Sequence, residues 1–228
     1  MFFIWALPLG GHANTVSGRS AKEAGETPAA KRSAARVLTR AVGEVDQHIV
    51  TSREVKINDA IEKALKAKGG EASVKLQILD EQGKTFPAEV GKVLDEWAVY
   101  LEAKLLSTQP SGRFDVASAI QAVHEVWAHN SGWKQLDVSS EELRQMVERK
   151  LIAKEFERLK SDPQLAPVTD EDALAYYRRN RLKFGSLPFS AFKDNIKTFL
   201  IKQQTERRLS EWREVLRRKY KARNFIAG

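Results

Sequence analysis

Apolar residues recur every three or four positions over most of the chain, which is the spacing of amphipathic helices. Proline, glycine and capping residues set the limits of each helical stretch. The pattern predicts helices that begin near Thr51, Pro87, Phe114, Ser139, Thr169 and Pro188. The first helix should end at Gly69-Gly70, and the last and longest should run to about Tyr220.

Two of these starts match the capping box, in which a hydroxyl accepts from the amide three residues later and an acidic side chain reaches back. They are Thr51-x-x-Glu54 and Ser139-x-x-Glu142, and Thr169-x-x-Asp172 opens a further helix in a similar way. We expect Glu54 to bind the backbone of Thr51.

Strand patterns are confined to the two ends of this helical region. Residues 37–42 alternate in a way that predicts a short strand, Gly43-Glu44 is predicted to turn the chain, and residues 47–50 predict a second strand. Phe225-Ile226 predicts a final short strand. The predicted fold class is therefore mainly α (α+β), a helical module with a few short strands.

The longest predicted helix carries apolar residues on two opposite sides. On a helical wheel, one face takes Phe189, Phe192, Ile196, Phe199 and Leu200. The opposite face takes Ile201, Leu209, Trp212, Val215 and Leu216. Because residues 202–208 contain no Pro or Gly that would kink the helix, we expect the two halves to pack against different bodies.

The first 34 residues differ from the rest. Residues 1–13 resemble the end of a secretory signal peptide, because an apolar run is followed by Gly11-His12-Ala13, although no basic residue precedes the run. The alternative is a buried strand or helix. Residues 14–34 are small and polar and predict a flexible linker, so that residues 35–228 form the folded module. We expect export to the periplasm.

Charge is unevenly distributed along the chain. The net charge is +8, and residues 170–228 hold 15 Lys and Arg against 7 Asp and Glu, so the preceding part is neutral. A basic tail indicates an acidic partner, a membrane surface or nucleic acid, or else only the solvated face of a long helix. No apolar run approaches the ~20 residues of a spanning helix, so no stable membrane insertion is predicted.

Patterns that carry catalytic or metal chemistry are missing from the sequence. Cysteine is absent, which excludes disulfides and thiolate metal sites. No HExxH, glycine-rich phosphate loop or GxSxG occurs, and the five-residue spacing of His124 and His129 is poor for two ligands on one helix face. We therefore predict no catalytic residue, no metal ligand and no cofactor.

Two stretches together resemble the chaperone module of the SurA-type periplasmic chaperones and peptidyl-prolyl isomerases. Residues 42–65, VGEVDQHIVTSREVKINDAIEKAL, are similar to the strand pair, cap and first helix of that family, although Val45-Asp46-Gln47 replaces its usual Asn-Gly. Residues 140–160, 167–184 (PVTDEDALAYYRRNRLKF) and 188–226 (beginning PFSAFK) are similar to its later helices and terminal strand.

The resemblance implies a fold in which the terminal helix and strand return to the first strands, with residues 225–226 beside residues 37–42. Many members carry a parvulin isomerase domain between the Tyr-Tyr and Pro-Phe helices. Here only Gly185-Ser186-Leu187 separates Phe184 from Pro188, and three residues cannot hold a domain. The expected protein is therefore not an isomerase.

The expected function is that of a holdase for unfolded polypeptide clients, above all envelope and outer-membrane proteins, bound through an apolar crevice. The candidate client-binding residues are Phe114, Trp127, Trp133 and Trp212, each of which could instead be an ordinary core residue.

Two other functions remain open on the sequence. One is a nucleic-acid-binding protein that uses Arg207-Arg208, Arg217-Arg218 and Lys219, which export would argue against, so our expected partners include no nucleic acid. The other is a structural partner with one fixed client in an envelope complex. A homodimer formed by exchange of the terminal helix is also left open.

Overall fold

The computed structural model of the chain describes residues 39–70, 75–106, 115–162 and 167–227. Within these residues it contains seven α-helices and one three-stranded antiparallel sheet, which confirms the mainly helical α+β class. The expectations for residues 1–34 and for Phe114 lie outside the described residues. No helix in the described ranges has both the length and the hydropathy that a bilayer span requires.

The elements follow one another as a hairpin, seven helices and a last strand. The strands are β1 (Ala41–Val45), β2 (His48–Thr51) and β3 (Arg223–Asn224). The helices are α1 (Ser52–Lys68), α2 (Phe86–Leu105), α3 (Val116–Trp127), α4 (Ser131–Gln135), α5 (Ser140–Lys160), α6 (Asp170–Arg179) and α7 (Lys193–Lys219). Two short 3₁₀ turns, Arg181–Phe184 and Phe189–Ala191, lie between α6 and α7.

The sheet joins the two ends of the folded module. Its order is β2-β1-β3, so the strand that ends the chain pairs with the strand that begins the module. The expected return of the chain end to the first strands is therefore confirmed. Its register differs from the prediction, because Arg223 and Asn224 face Glu44 and Gly43. The predicted pair keeps one backbone hydrogen bond among its described residues, from the Phe225 amide to the Val42 carbonyl, at 2.9 Å.

The predicted turn at Gly43-Glu44 is wrong, because both residues lie inside β1. The chain turns instead at residues 46–47, where Asp46 has φ 54, a left-handed conformation that Asp tolerates better than most residues. Gly43 serves a different purpose. A Cβ atom there would lie 2.9 Å from the Arg223 carbonyl oxygen and 3.1 Å from Leu94, so glycine permits the close approach of β3.

The helix starts follow the predicted caps only in part. Thr51, Ser139 and Thr169 each accept from the amide three residues later, at 3.1–3.2 Å. A reciprocal capping box forms at Thr169 and Asp172. Glu54 does not bind the Thr51 backbone, and its carboxylate turns into the protein to bind other side chains. The last helix begins at Lys193 rather than Pro188, because a 3₁₀ turn comes first.

Two apolar clusters form the core of the main body, which we define as the described residues 39–162 together with 209–227. The first lies between the sheet, α2, the end of α5 and the end of α7, around Phe86, Phe156 and Leu216. The second lies between α1, α3 and α5, around Ile61 and Trp127. Apolar stripes of the helices contribute to both clusters, and the strand residues Val42, Val45 and Val50 complete the first.

The two faces of α7 pack against different clusters, as predicted. Its first half joins α6 in a third, smaller cluster, in which Ile196 is buried and Phe192 and Leu200 pack against it. Its second half places Leu216 and Trp212 in the first core cluster. We call residues 170–200, which hold α6, the two 3₁₀ turns and the start of α7, the aromatic lobe.

The close approach at Gly43 yields a stability prediction. Replacing Gly43→Ala should lower the free energy of unfolding by about 1–3 kcal/mol, because the new methyl group forces β3 and Leu94 apart. Urea unfolding followed by circular dichroism measures this change.

The matched control is Gly91→Ala in α2, where an added Cβ meets nothing within 4 Å. That change should stabilise the protein by roughly 0.5–1 kcal/mol, because alanine loses less backbone entropy in a helix. Equal effects of the two changes would contradict the role of Gly43.

Candidate functional site

The predicted client-binding tryptophans do not form one surface. Trp127 has no exposed surface and donates its indole N–H to the Ala60 carbonyl at 3.0 Å, so its side chain cannot reach a client in this structure. Trp133 stacks beside it, with ring centroids 6.2 Å apart. Trp212 packs edge-on against Phe156 in the other core cluster. These positions favour a core role for Trp127 and a core-flanking role for the other two.

Aromatic side chains concentrate instead in the aromatic lobe. Six rings form a chain of neighbours whose centroids lie 5.0–6.3 Å apart, and these are Tyr176, Tyr177, Phe184, Phe189, Phe192 and Phe199. Only Ala173, Tyr177 and Ile196 are buried in this cluster. The remaining rings are therefore partly open to solvent, on a lobe that is too thin to enclose them.

Large apolar side chains also stand exposed on the lobe. Leu182 is 100% exposed, and Leu187 and Phe199 are about half exposed. The sequence interpretation missed this surface, because Phe199 fits the predicted packing face of the longest helix. The signal available in the sequence was the density of aromatic residues around Tyr176-Tyr177 and Pro188-Phe189, which exceeds what two short helical segments can bury.

The same lobe carries unpaired positive charge. Arg178, Arg179 and Lys183 are exposed, and none of them has a carboxylate partner in the described part of the chain. Arg181 lies over the Tyr177 ring at 5.0 Å and donates to the carbonyls of the turn after it. Apolar surface and free cations thus lie side by side on the lobe.

One carboxylate ties α6 to α7 within the lobe. Asp170 binds Lys193 and Lys197, and these hydrogen bonds and charges hold the pKa of Asp170 below its usual 3.8. These two ion pairs join the N-terminal part of α6 to the N-terminal part of α7.

The second half of α7 is basic in composition, and the fold pairs some of its cations with carboxylates. Arg217 makes two 2.6 Å hydrogen bonds to Asp95, Arg213 binds Glu157, and Lys219 binds Glu102. Arg223 binds Glu44 in the same way. Of the five cations that the nucleic-acid hypothesis names, Arg217 and Lys219 are thus paired, whereas Arg207, Arg208 and Arg218 have no carboxylate partner among the described residues.

A buried ionic network lies where α1, α2 and α5 meet. Arg149 is 5% exposed, and its guanidinium donates to Glu54 at 2.9 Å and to Glu96 at 2.8 Å. It also lies over the Trp97 ring, 4.2 Å from the centroid, while the Trp97 indole N–H donates to Glu54 at 2.7 Å. Lys150 adds a second cation on Glu96, at 2.8 Å.

The cations of this network hold its carboxylates in the ionised form. Burial raises the pKa of Glu96, but the charges and hydrogen bonds of Lys150 and Arg149 outweigh burial, so the pKa lies below 4.5. Burial likewise opposes ionisation of Glu54, whose pKa is lowered by hydrogen bonds from His48 and Trp97 and by the charge of Arg149. Such a network fixes the relative positions of three helices and is not by itself a catalytic site.

Among the described residues, no three His, Asp or Glu side chains are grouped closely enough to hold a metal ion. Comparisons with protein-family models, with curated proteins and with solved structures found no match to this chain. The functional interpretation therefore depends on the residues themselves.

The buried network predicts a large effect of one substitution. Replacing Arg149→Met should lower the free energy of unfolding by about 3–5 kcal/mol, because it leaves the carboxylates of Glu54 and Glu96 buried with fewer cations. Urea denaturation measures the loss. The control is Arg144→Met on the same helix, where the exposed side chain has only a 3.9 Å contact with Glu141 and should change stability by less than about 0.5 kcal/mol.

The lowered pKa values of Glu96 and Glu54 predict acid sensitivity. Both groups ionise more readily in the folded state than in the unfolded state, where their pKa is near 4.5. Their contribution to stability is thus complete well above pH 4.5 and is lost as the pH falls below that value through the folded-state pKa. Melting temperatures measured from pH 7 down to pH 3 should fall most steeply in this acid range, and Glu96→Gln should reduce that slope. An unchanged slope in the variant would contradict the assignment.

Proposed function

We propose that the chain is an exported, periplasmic holdase of the SurA-like kind, which binds unfolded or extended polypeptides such as envelope and outer-membrane proteins. The observation that carries the proposal is the aromatic lobe, where Leu182, Leu187 and Phe199 are exposed beside unpaired cations. Exposed apolar surface with a polar rim is typical of sites that bind other chains.

The proposed mechanism is non-covalent. Apolar and aromatic segments of the client lie against the exposed leucines and rings of the lobe, and acidic client residues meet Arg178, Arg179 and Lys183. Affinity should be weak and tolerant of sequence, because ordering a flexible client costs conformational entropy. The charged surface of the main body keeps the complex in solution.

Two features of the fold support the SurA-like part of the proposal. The return of β3 to β1 is the arrangement that the resemblance implies. The connection between the lobe's two 3₁₀ turns consists of Gly185, Ser186, Leu187 and Pro188, with the Tyr177 hydroxyl donating to the Leu187 carbonyl. This tight connection supports a protein without isomerase activity, since the family's parvulin domain would be inserted there.

The proposal predicts suppression of aggregation. At a stoichiometric ratio, the protein should reduce the light scattering of a urea-denatured outer-membrane protein diluted into buffer, because the lobe covers exposed client segments. The double substitution Leu182→Ser and Leu187→Ser should remove most of this effect without lowering the melting temperature, since both side chains are already exposed.

The matched control is Leu105→Ser, which removes an exposed leucine from α2 on the main body and should leave suppression intact. No suppression by the unaltered protein would overturn the proposed function. Equal loss in the lobe and control variants would overturn the assignment of the lobe. Capture of one dominant partner rather than many clients would favour the fixed structural partner.

A further inference from the structure

An open pocket of about 530 Å³ lies on the main body, where the end of α7 meets β1 and β3. Its volume is in the range of small-ligand sites. Four cations outnumber two carboxylates among its lining side chains, which gives the lining a charge of +2. These charged residues, which we call the basic pocket, are Arg217, Arg218, Lys221, Arg223, Glu44 and Glu214. None of them belongs to the aromatic lobe.

Two of the four cations are held by carboxylates. Arg217 donates from Nε and Nη2 to Asp95, each at 2.6 Å, and from Nη1 to Glu214 at 3.3 Å. Arg223 uses only Nη2 to bind Glu44, so its Nε and Nη1 atoms have no partner among the described residues. Because a guanidinium has five N–H donors, Arg223 retains most of its capacity to bind a further acceptor.

The other two cations have no carboxylate partner in the described part of the chain. Arg218 is exposed, and its Nε atom reaches only the Glu214 carbonyl at 3.4 Å. Lys221 is also exposed, and its ammonium has no hydrogen-bond partner there. Neighbouring cations with unused donors suit a ligand that has several acceptor oxygens and two negative charges.

The turn after α7 places Lys221 at a backbone position that glycine usually takes. Its φ is 51, and the amides of Lys221 and Ala222 bond the carbonyls of Arg218 and Arg217, as in a Schellman turn. Lysine is strained in this left-handed conformation, whereas glycine is not. The two hydrogen bonds also engage carbonyls of the last helical turn, which would otherwise disfavour an anion. The turn therefore holds a cation in the pocket at a conformational cost.

We propose that the basic pocket binds a phosphate monoester dianion, carried either by a small soluble molecule or by a lipid headgroup. Arg218 and Lys221 balance its two charges, and the free nitrogens of Arg223 donate to its oxygens. A compact dianion suits the pocket better than an extended polyanion does, because Glu44 and Glu214 flank the free cations and would repel further phosphates.

A titration of the full chain with glycerol 3-phosphate at low salt tests the site, observed by isothermal calorimetry or by nuclear magnetic resonance shifts. The pH is kept well above the second phosphate pKa of about 6, so that the ester is a dianion. Dimethyl phosphate, which carries one charge, should bind about tenfold more weakly, the effect expected from the loss of one charge-assisted contact.

Vesicles separate the two sources of the monoester. Phosphatidic acid in phosphatidylcholine presents the same group on a membrane, and pure phosphatidylcholine is the control. Cosedimentation that requires phosphatidic acid and that Lys221→Gly abolishes assigns the pocket to a lipid headgroup. Binding of glycerol 3-phosphate without cosedimentation assigns it to a soluble ligand.

Three variants and a control assign the residues. Lys221→Gly should weaken binding about tenfold and yet raise the melting temperature by about 2–4 °C, because glycine removes the strain. Arg218→Met should also weaken binding about tenfold, but without a gain in melting temperature. Glu214→Gln should tighten binding about two- to fivefold, because it removes a repelling charge. Lys134→Met, at an exposed lysine on α4, should leave binding unchanged.

Equal affinity for the monoester and dimethyl phosphate, absence of binding to both glycerol 3-phosphate and the phosphatidic acid vesicles, or unchanged binding in Lys221→Gly or Arg218→Met would each overturn the proposal. Unchanged binding would mean that these cations serve only the end of α7. Tighter binding of single-stranded DNA than of glycerol 3-phosphate, lost in the same variants, would overturn it in favour of nucleic acid. Aggregation suppression by the lobe does not involve this pocket, so the two proposals fail separately.

Discussion

The position of Arg149 is the constraint on which the rest of the main body depends. Its guanidinium joins Glu54 at the start of α1 to Glu96 in the middle of α2, from a place on α5 that is almost completely buried. A buried cation tolerates only a few arrangements of its carboxylates, because any misplacement leaves a charge without a partner in a poorly solvating interior. The hydrophobic stripes bring these helices together, and the network selects one alignment among those that the stripes allow.

The sequence pattern predicts elements better than it predicts the partners of polar groups. The stripes of α2 and α5 and the two faces of α7 are local periodicities, and the structure confirms most of their residues as buried or packed on a core. The exceptions Leu105, Leu159 and Phe199 are exposed. Glu54 shows the limit. Its position three residues after Thr51 is that of a capping-box acid. Its carboxylate instead binds Trp97 and Arg149, which lie 43 and 95 positions later in the sequence, and these contacts replace the one to the local backbone. The role of Gly43 was wrongly predicted for a related reason. Strand β3, which can approach only a residue without a side chain at position 43, lies at the other end of the chain.

The candidate surface was hard to predict, because the sequence pattern shows which residues form an apolar stripe but not whether another element packs over that stripe. Trp127 was a candidate client-binding residue, with an ordinary core role as the alternative, and it is buried beside α1. Phe199 was expected in a packing face and is about half exposed. The difference lies in how much protein surrounds each helix. Four helices surround the core around Trp127, whereas the third cluster, within the described part of the chain, is built from α6, the start of α7 and the two short turns between them.

Thin packing in the lobe has a consequence for how a surface of this kind meets its ligands. Elements with few buried side chains open locally at low free energy, whereas the main body, with its ionic network and joined chain ends, does not. Rings that touch one another at 5–6 Å without a surrounding core can shift in relation to one another at little cost in buried surface. An adaptable surface on a rigid support accepts many different apolar segments, whereas a tightly packed pocket would select one. Because α7 contributes its first half to the lobe and its second half to the main body, one helix connects the thinly packed surface to the rigid support.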